Sequence, residues 1–301
     1  MEPNKFFIIC ALVGLLISFS HLNLGAEQAS SIADLYDRAK GGQTFYQPNE
    51  SELARARKLF GKMLSGEFFE PGKENPGWEE LGLRVVRLQQ DSREYAAVIE
   101  DGAQKGRGFY LFAQEPDSRT ALMIPHGTKD LKTDEIGIKL MSRGEFVGGA
   151  FNTVPRYSAS EDQSQNQDMA HTRNTYFVSY TKAFADVFPR GRLVQLHGFA
   201  KEKRDTKSGR QADVIVSSGS TIVPQHVREL SKCLRSTRLD IALYPLEVRE
   251  LGGTTNVSGN VLQSMGHSGF VHVEMNYQLR KTMVSSPGLL QNIENCLELG
   301  K

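Results

Sequence analysis

An excess of charge of either sign is what this sequence lacks: 36 Lys and Arg stand against 35 Asp and Glu in 301 residues, a formal net charge of +1. Neutralising phosphates needs clustered excess basic residues, so a protein held to nucleic acid by charge alone is excluded. Cysteine is scarce, at 3 residues, which excludes a disulfide-knot scaffold. The 28 Gly and 11 Pro show no collagen period, and no internal repeat is present. What remains is ordinary globular composition, 39% hydrophobic and 24% charged, enough to bury the core of one large α/β domain or two small ones.

The first 26 residues differ from the rest. Lys5 precedes an apolar stretch over 6–19, then polar residues, then Leu24-Gly25-Ala26 before Glu27. This pattern predicts an export signal cleaved after Ala26, with an uncleaved anchor as the alternative, and the stretch is short for a membrane span. Export to the periplasm or outside the cell, with no stable membrane span after cleavage, is the expectation. Of the cysteines, Cys10 lies inside the signal. Cys233 and Cys296, each in a helix-like segment, read equally well as one disulfide or as two buried thiols.

Residues 27–80 are polar, with an amphipathic stretch over 51–64 and a Gly/Pro-rich break over 70–78, and predict a helical preface to a main domain over 81–301. Strands are expected from LRVVRLQ, YAAVIED, GRGFYLFA and TALMIPHG, with a hairpin at Asp101-Gly102. A helix with Thr133 as N-cap, a mobile polar loop over 158–168 and a helix over 171–188 follow. Further strands are expected over 192–197, 213–217, 241–245 and 270–275, with helices after Pro224 and at the end of the chain. Alternation of strands and helices predicts an α/β fold, a mainly parallel or mixed sheet with helices on both faces.

Polar residues stand at the carboxyl ends of three apolar strands: His126 after TALMIP, His197 in RLVQLHG and Glu274 in GFVHVEM. In an open α/β sheet the strand ends converge on a crevice where ligands bind.

Pro125-His126-Gly127, Asp130, Thr133 and Glu135-Ile136 together resemble the His-Gly-Gly…Glu-x-Gly-Thr…Glu-Ile block of the bacteriophage-type poly-γ-glutamate hydrolases. Those are relatives of the N-formylglutamate amidohydrolases and zinc carboxypeptidases. Leu196-His197-Gly198 resembles the block with their second metal-binding His, and His272-Val273-Glu274-Met275-Asn276 with Leu279-Arg280 the block with their catalytic Glu. The resemblance spans residues 120–285. It implies a zinc carboxypeptidase-like fold and one zinc ion held by His126, Asp130 and His197, with Glu274 as general base. It also implies hydrolysis of an amide or peptide bond, γ-glutamyl, N-acyl amino acid or peptide, in a small acidic substrate. Two imidazoles and a carboxylate leave a position open for water, whose pKa the metal lowers. The first block departs from the family: Asp130 stands where the relatives have Glu, one residue closer to His126, and Thr128 replaces the second Gly. Glu135 is the runner-up ligand, with a helix-dipole role as the plainer alternative.

Between these blocks, Arg156 on one side of the polar loop and His171 and Arg173 on the other are the candidates for the substrate. A guanidinium fork suits a carboxylate, so Arg156 comes first. Gly266-His267-Ser268-Gly269 lacks the last spaced Gly of a serine-hydrolase elbow. Gly148-Gly149 and Gly252-Gly253 read as turns, not phosphate loops. The basic run over 201–210 has no aromatic residue for base stacking and reads as a solvated loop with no nucleic-acid partner. A metal-dependent esterase or deacetylase, or an exported binding protein with a degenerate site, is the alternative.

Overall fold

The computed structural model describes residues 31–69, 77–143, 145–156 and 167–298. The expected leader over 1–26 and most of the polar segment over 158–168 lie outside these residues. Nine strands form one mixed sheet: β1 (Leu83–Gln90), β2 (Arg93–Glu100), β3 (Phe109–Ala113), β4 (Thr120–Ile124), β5 (Gly148–Phe151), β6 (Arg192–Phe199), β7 (Val214–Ser217), β8 (Ile241–Leu243) and β9 (Phe270–Asn276). Their spatial order is β1-β2-β3-β5-β4-β6-β9-β7-β8. The first three strands and β5 pair antiparallel, β5, β4, β6 and β9 run parallel, and β9 meets β7 antiparallel. The fold is α/β, and the sheet is mixed rather than mainly parallel.

Helices cover both faces: α1 (Ile32–Ala39), α2 (Glu50–Leu64), α3 (Thr133–Ser142), α4 (Tyr176–Val187), α5 (Lys207–Gln211), α6 (Gln225–Ser236), α7 (Val257–Ser264), α8 (Tyr277–Ser285) and α9 (Pro287–Leu297). Strand residues alternate between two cores. Leu122 and Ile124 of β4, Val194 and Leu196 of β6, and Val271 and Val273 of β9 join α3, α6, α8 and α9. Ala121 and Met123, Leu193 and Phe270 face the other way, into a core with Phe60 of α2, Trp78 and Tyr180 and Phe184 of α4. The helices of residues 31–69 thus pack into the same two cores as the rest of the chain. A capping box of Asn49 and Glu52 starts α2.

Three local expectations are corrected. Gly148-Gly149 is not a turn but the start of β5. A Cβ at Gly148 would stand 2.8 Å from the Tyr180 hydroxyl, and one at Gly149 2.8 Å from the Phe151 ring, so close packing explains glycines inside this strand. Thr133 is the first residue of α3 and not its cap. Its hydroxyl donates to the Asp130 carbonyl at 2.8 Å and ties the helix to the preceding loop. The helix expected from 171 starts at Tyr176, where the Thr175 side chain accepts from Val178 N–H.

Cys233 of α6 and Cys296 of α9 form a disulfide, with Cα atoms 5.5 Å apart. The bridge joins two helices that cover one core across a sequence separation of 63 residues, for which chain entropy alone gives about 4 kcal/mol. Replacing both cysteines by serine should lower the unfolding free energy by that amount or less, read as a lower urea midpoint, with a denaturant slope that is unchanged or steeper because the unfolded chain is free to expand. An unchanged midpoint would contradict the crosslink.

Candidate functional site

The apolar alternation of the α2/α4 core breaks towards the carboxyl ends of two adjacent strands. On β6 the series on that face runs Leu193, Gln195, His197, and on β9 it runs Phe270, His272, Glu274. The parallel register sets Gln195 beside His272 and His197 beside Glu274. His126 follows β4, the other neighbour of β6, after Pro125. Three sequence-distant strands therefore deliver their polar residues to one edge of the sheet, at the mouth of a cavity of about 750 Å³ whose wall includes His126, Asp130, Arg156, His197, Glu274 and Arg280.

The hydrogen bonds around the two imidazoles determine which nitrogen faces the cavity. His126 Nε2 lies 2.6 Å from Asp168 Oδ1, and a carboxylate only accepts, so Nε2 carries the proton. Its Nδ1 is buried, has no hydrogen-bond partner, and stands 3.5 Å from Asp130 Oδ2. His197 is oriented by a longer chain of donors. Asn256 caps α7 by accepting from Ser258 and Gly259 N–H, so its amide nitrogen is the group that donates to Gln195 Oε1. That oxygen also accepts from His197 Nε2 at 2.8 Å, which leaves His197 Nδ1 with a lone pair 3.6 Å from Asp130 Oδ2. Asp130 is held by Gly198 N–H, which donates to Oδ2 at 3.0 Å.

One donor atom from each of His126, Asp130 and His197 lies within 4.8 Å of the others. Two imidazole lone pairs converge on one carboxylate oxygen, and the unsatisfied Nδ1 of buried His126 is the atom a cation would complete. The donor set, two N and one O with the outer nitrogens hydrogen-bonded to oxygens, fits zinc.

Glu274 is 7% exposed, and its Oε2 has no hydrogen-bond partner. Burial, and then the charge of Asp130, pushes its carboxyl up to about 8. Burial also opposes ionisation of Asp130 and Asp168, but the adjacent imidazoles, His126 and His197 beside Asp130 and hydrogen-bonded His126 and His171 at Asp168, hold both well below the usual carboxylate range. Burial pulls His126 down, yet the neighbouring carboxylates of Asp130 and Asp168 outweigh this and raise it, whereas burial dominates at His197 and His272 and lowers both.

The other expected site residues divide. Glu135 is ion-paired to Lys132 at 3.0 Å and Lys139 at 3.6 Å on α3 and lies outside this cavity, so of the two expected carboxylate ligands it is Asp130 that stands beside both His126 and His197. Arg156 lines the cavity, but its Nε and Nη2 both reach Asp168 Oδ2 at 2.8 Å. His171 is outside the wall, with Nδ1 3.0 Å from Asp168 Oδ2 and Nε2 3.2 Å from Thr255 Oγ1. Arg173 is exposed and outside the wall. The basic run over 201–210 is not simply a solvated loop: it forms a turn of 3-10 helix and then α5, and Lys201, Lys203 and Arg204 line the cavity. Glu250 anchors this wall, accepting from the Asp205 and Thr206 N–H groups and from Arg204.

Sequence reasoning gave no site role to Asp168, although it stands in the segment of His171 and Arg173, nor to Gln195, Asn256 and His272. The period of two along β6 and β9 is the signal that puts Gln195 and His272 on the face of His197 and Glu274. His272 stacks on His197 with ring centroids 4.6 Å apart, and its Nε2 is 3.8 Å from Glu274 Oε1.

No family model and no curated protein matches the chain. Similar solved structures include an N-formylglutamate amidohydrolase from Ralstonia eutropha, at 10% identity and TM-score 0.42, covering 60% of this chain and 93% of that one. A metallo-carboxypeptidase from Burkholderia cenocepacia matches at 11% and 0.40, covering 85% and 70%. A succinylglutamate desuccinylase from Chromobacterium violaceum matches at 11% and 0.41, covering 81% and 74%. No residue role is carried over from them.

The raised proton affinity of Glu274 makes a stability prediction for protein stripped of metal. Folded Glu274 keeps its proton up to about 8, whereas the unfolded side chain releases it near 4.5. The folded state therefore binds more protons between those values, and this contribution, full below 4.5, is lost as pH rises to about 8. Glu274→Gln should gain melting temperature relative to wild type across that window. A difference that stays flat with pH would contradict the burial of an unpaired carboxyl.

Proposed function

We propose that this protein is an exported, metal-dependent hydrolase that cleaves an amide or peptide bond in a small acidic peptide or N-acyl amino acid. One observation carries the reading: the Nδ1 lone pairs of His126 and His197 converge with Asp130 at a cavity that also holds a buried, proton-retaining carboxyl at Glu274.

His126, Asp130 and His197 would hold one zinc ion. Bound there, the ion would lower the pKa of a water molecule and polarise a carbonyl. The remaining work belongs to the chain. Asp168 and Gln195 keep the outer imidazole nitrogens protonated, so the inner ones stay available. Glu274, with one oxygen unbonded, takes a proton from water in the cavity and returns it to the leaving amine, a task suited to a group that titrates near neutrality. Burial raises Glu274 first and the charge of Asp130 second, and with a cation held by Asp130 that second contribution would be offset, leaving Glu274 closer to ionisation at neutral pH. Export is supported by the leader composition of residues 1–26 and by the Cys233–Cys296 bridge, since disulfides persist in oxidising compartments. Among the described residues no helix is long and apolar enough to cross a membrane.

Glu274→Gln keeps side-chain volume and removes the proton acceptor. Turnover of an N-acyl amino acid should fall about 10²–10⁴-fold with metal content unchanged. Turnover within a few-fold of wild type, with metal and melting temperature retained, would remove Glu274 from the reaction.

A further inference from the structure

Three of the cationic side chains around the cavity are committed to acids. Arg156 is paired with Asp168, Arg204 with Glu250 at 3.3 Å, and Lys201 with Asp213 at 3.0 Å. Arg280 differs from all three. It is 4% exposed and lines the cavity, yet no acid among the described residues forms an ion pair with it. Backbone carbonyls alone hold it: Nε donates to Met275 O at 3.2 Å and Nη1 to Leu131 O. Nη2 has no hydrogen-bond partner among the described residues.

The local sequence makes room for this guanidinium. Gly198 follows His197 on β6, and a Cβ there would collide with the Arg280 guanidinium, so the absence of a side chain lets the charge lie beside the metal-ligand strand. Tyr277, at the start of α8, places its ring 5.6 Å from Arg280 Cζ. Leu131 and Tyr277, 57% and 47% exposed, stand at the cavity as unusually open apolar side chains.

A desolvated guanidinium with no acid at ion-pair distance, opposed only by the more distant charges of Asp130 and Glu274, is costly, and its planar fork matches a carboxylate. We propose that Arg280 receives a carboxylate group of the substrate in the cavity, a role Arg156 cannot fill while its donors are held by Asp168. The assignment names the acidic group that the hydrolase reading leaves unplaced, and it rests on that reading only for calling the ligand a substrate. The competing account is that Arg280 is a strap, tying the loop of Asp130 to β9 through Leu131 O and Met275 O.

Calorimetric binding of glutarate and of its neutral counterpart glutaramide to the full mature chain separates the two. Wild type should bind glutarate at least about tenfold more tightly than glutaramide, a difference of about 1.4 kcal/mol. Arg280→Met should lose that preference, whereas Lys203→Met, which removes an exposed charge from the same wall, should keep glutarate binding within about threefold. If Arg280→Met does not melt cooperatively, Arg280→Lys decides: it keeps the charge without the fork and should weaken glutarate several-fold while leaving glutaramide unchanged. Equal binding of the two probes by wild type overturns the proposal. So does undiminished glutarate binding by the folded Arg280 variant, or an equal loss in Lys203→Met. Because binding is read without turnover, a protein that binds glutarate but hydrolyses nothing would count against the hydrolase and leave Arg280 standing.

Discussion

The two protons on the outer nitrogens of His126 and His197 are the constraint on which the site depends. A histidine can offer a lone pair inward only if its other nitrogen is committed outward as a donor. Asp168 makes that commitment for His126 directly, and the N-terminus of α7 makes it for His197 through Asn256 and Gln195. Helix capping, usually a local matter, thus sets the state of a side chain on a central strand two residues of relay away.

This arrangement costs stability in a recognisable way. Replacing apolar positions of the α2/α4 core with Gln195, His197, His272 and Glu274 leaves buried polar atoms unsatisfied, among them His272 Nδ1, Gln195 Nε2 and Glu274 Oε2. Such orphans are tolerated where they serve a ligand or a proton. The rest of the molecule offsets them with two continuous apolar cores, one on each side of the sheet, and with the Cys233–Cys296 bridge between α6 and α9.

Much of this was legible in the chain. Short apolar runs located eight of the nine strands, and the polar residue at the end of three of them located the crevice. β5 was not legible, because Gly148-Gly149 is chosen for contact with Tyr180 and Met141, which only the folded packing defines. Asp168 was not legible as the partner of His126: 42 residues and a polar segment separate them, and nothing local marks the bond. Arg156 illustrates the converse. Its residue type suits a substrate carboxylate, but an acid twelve positions on already occupies its fork. Arg280, in the same sequence block as Glu274, forms no ion pair with it among the described residues and bonds to carbonyls instead.

X-ray absorption at the zinc edge, on protein purified without chelator, tests the central claim most directly. The account predicts one zinc per chain with two imidazole nitrogens at about 2.0–2.1 Å and the remaining ligands oxygen. It also predicts loss of that signal in His126→Ala. A metal-free protein, a sulfur-containing ligand shell, or an unchanged spectrum in His126→Ala would contradict it.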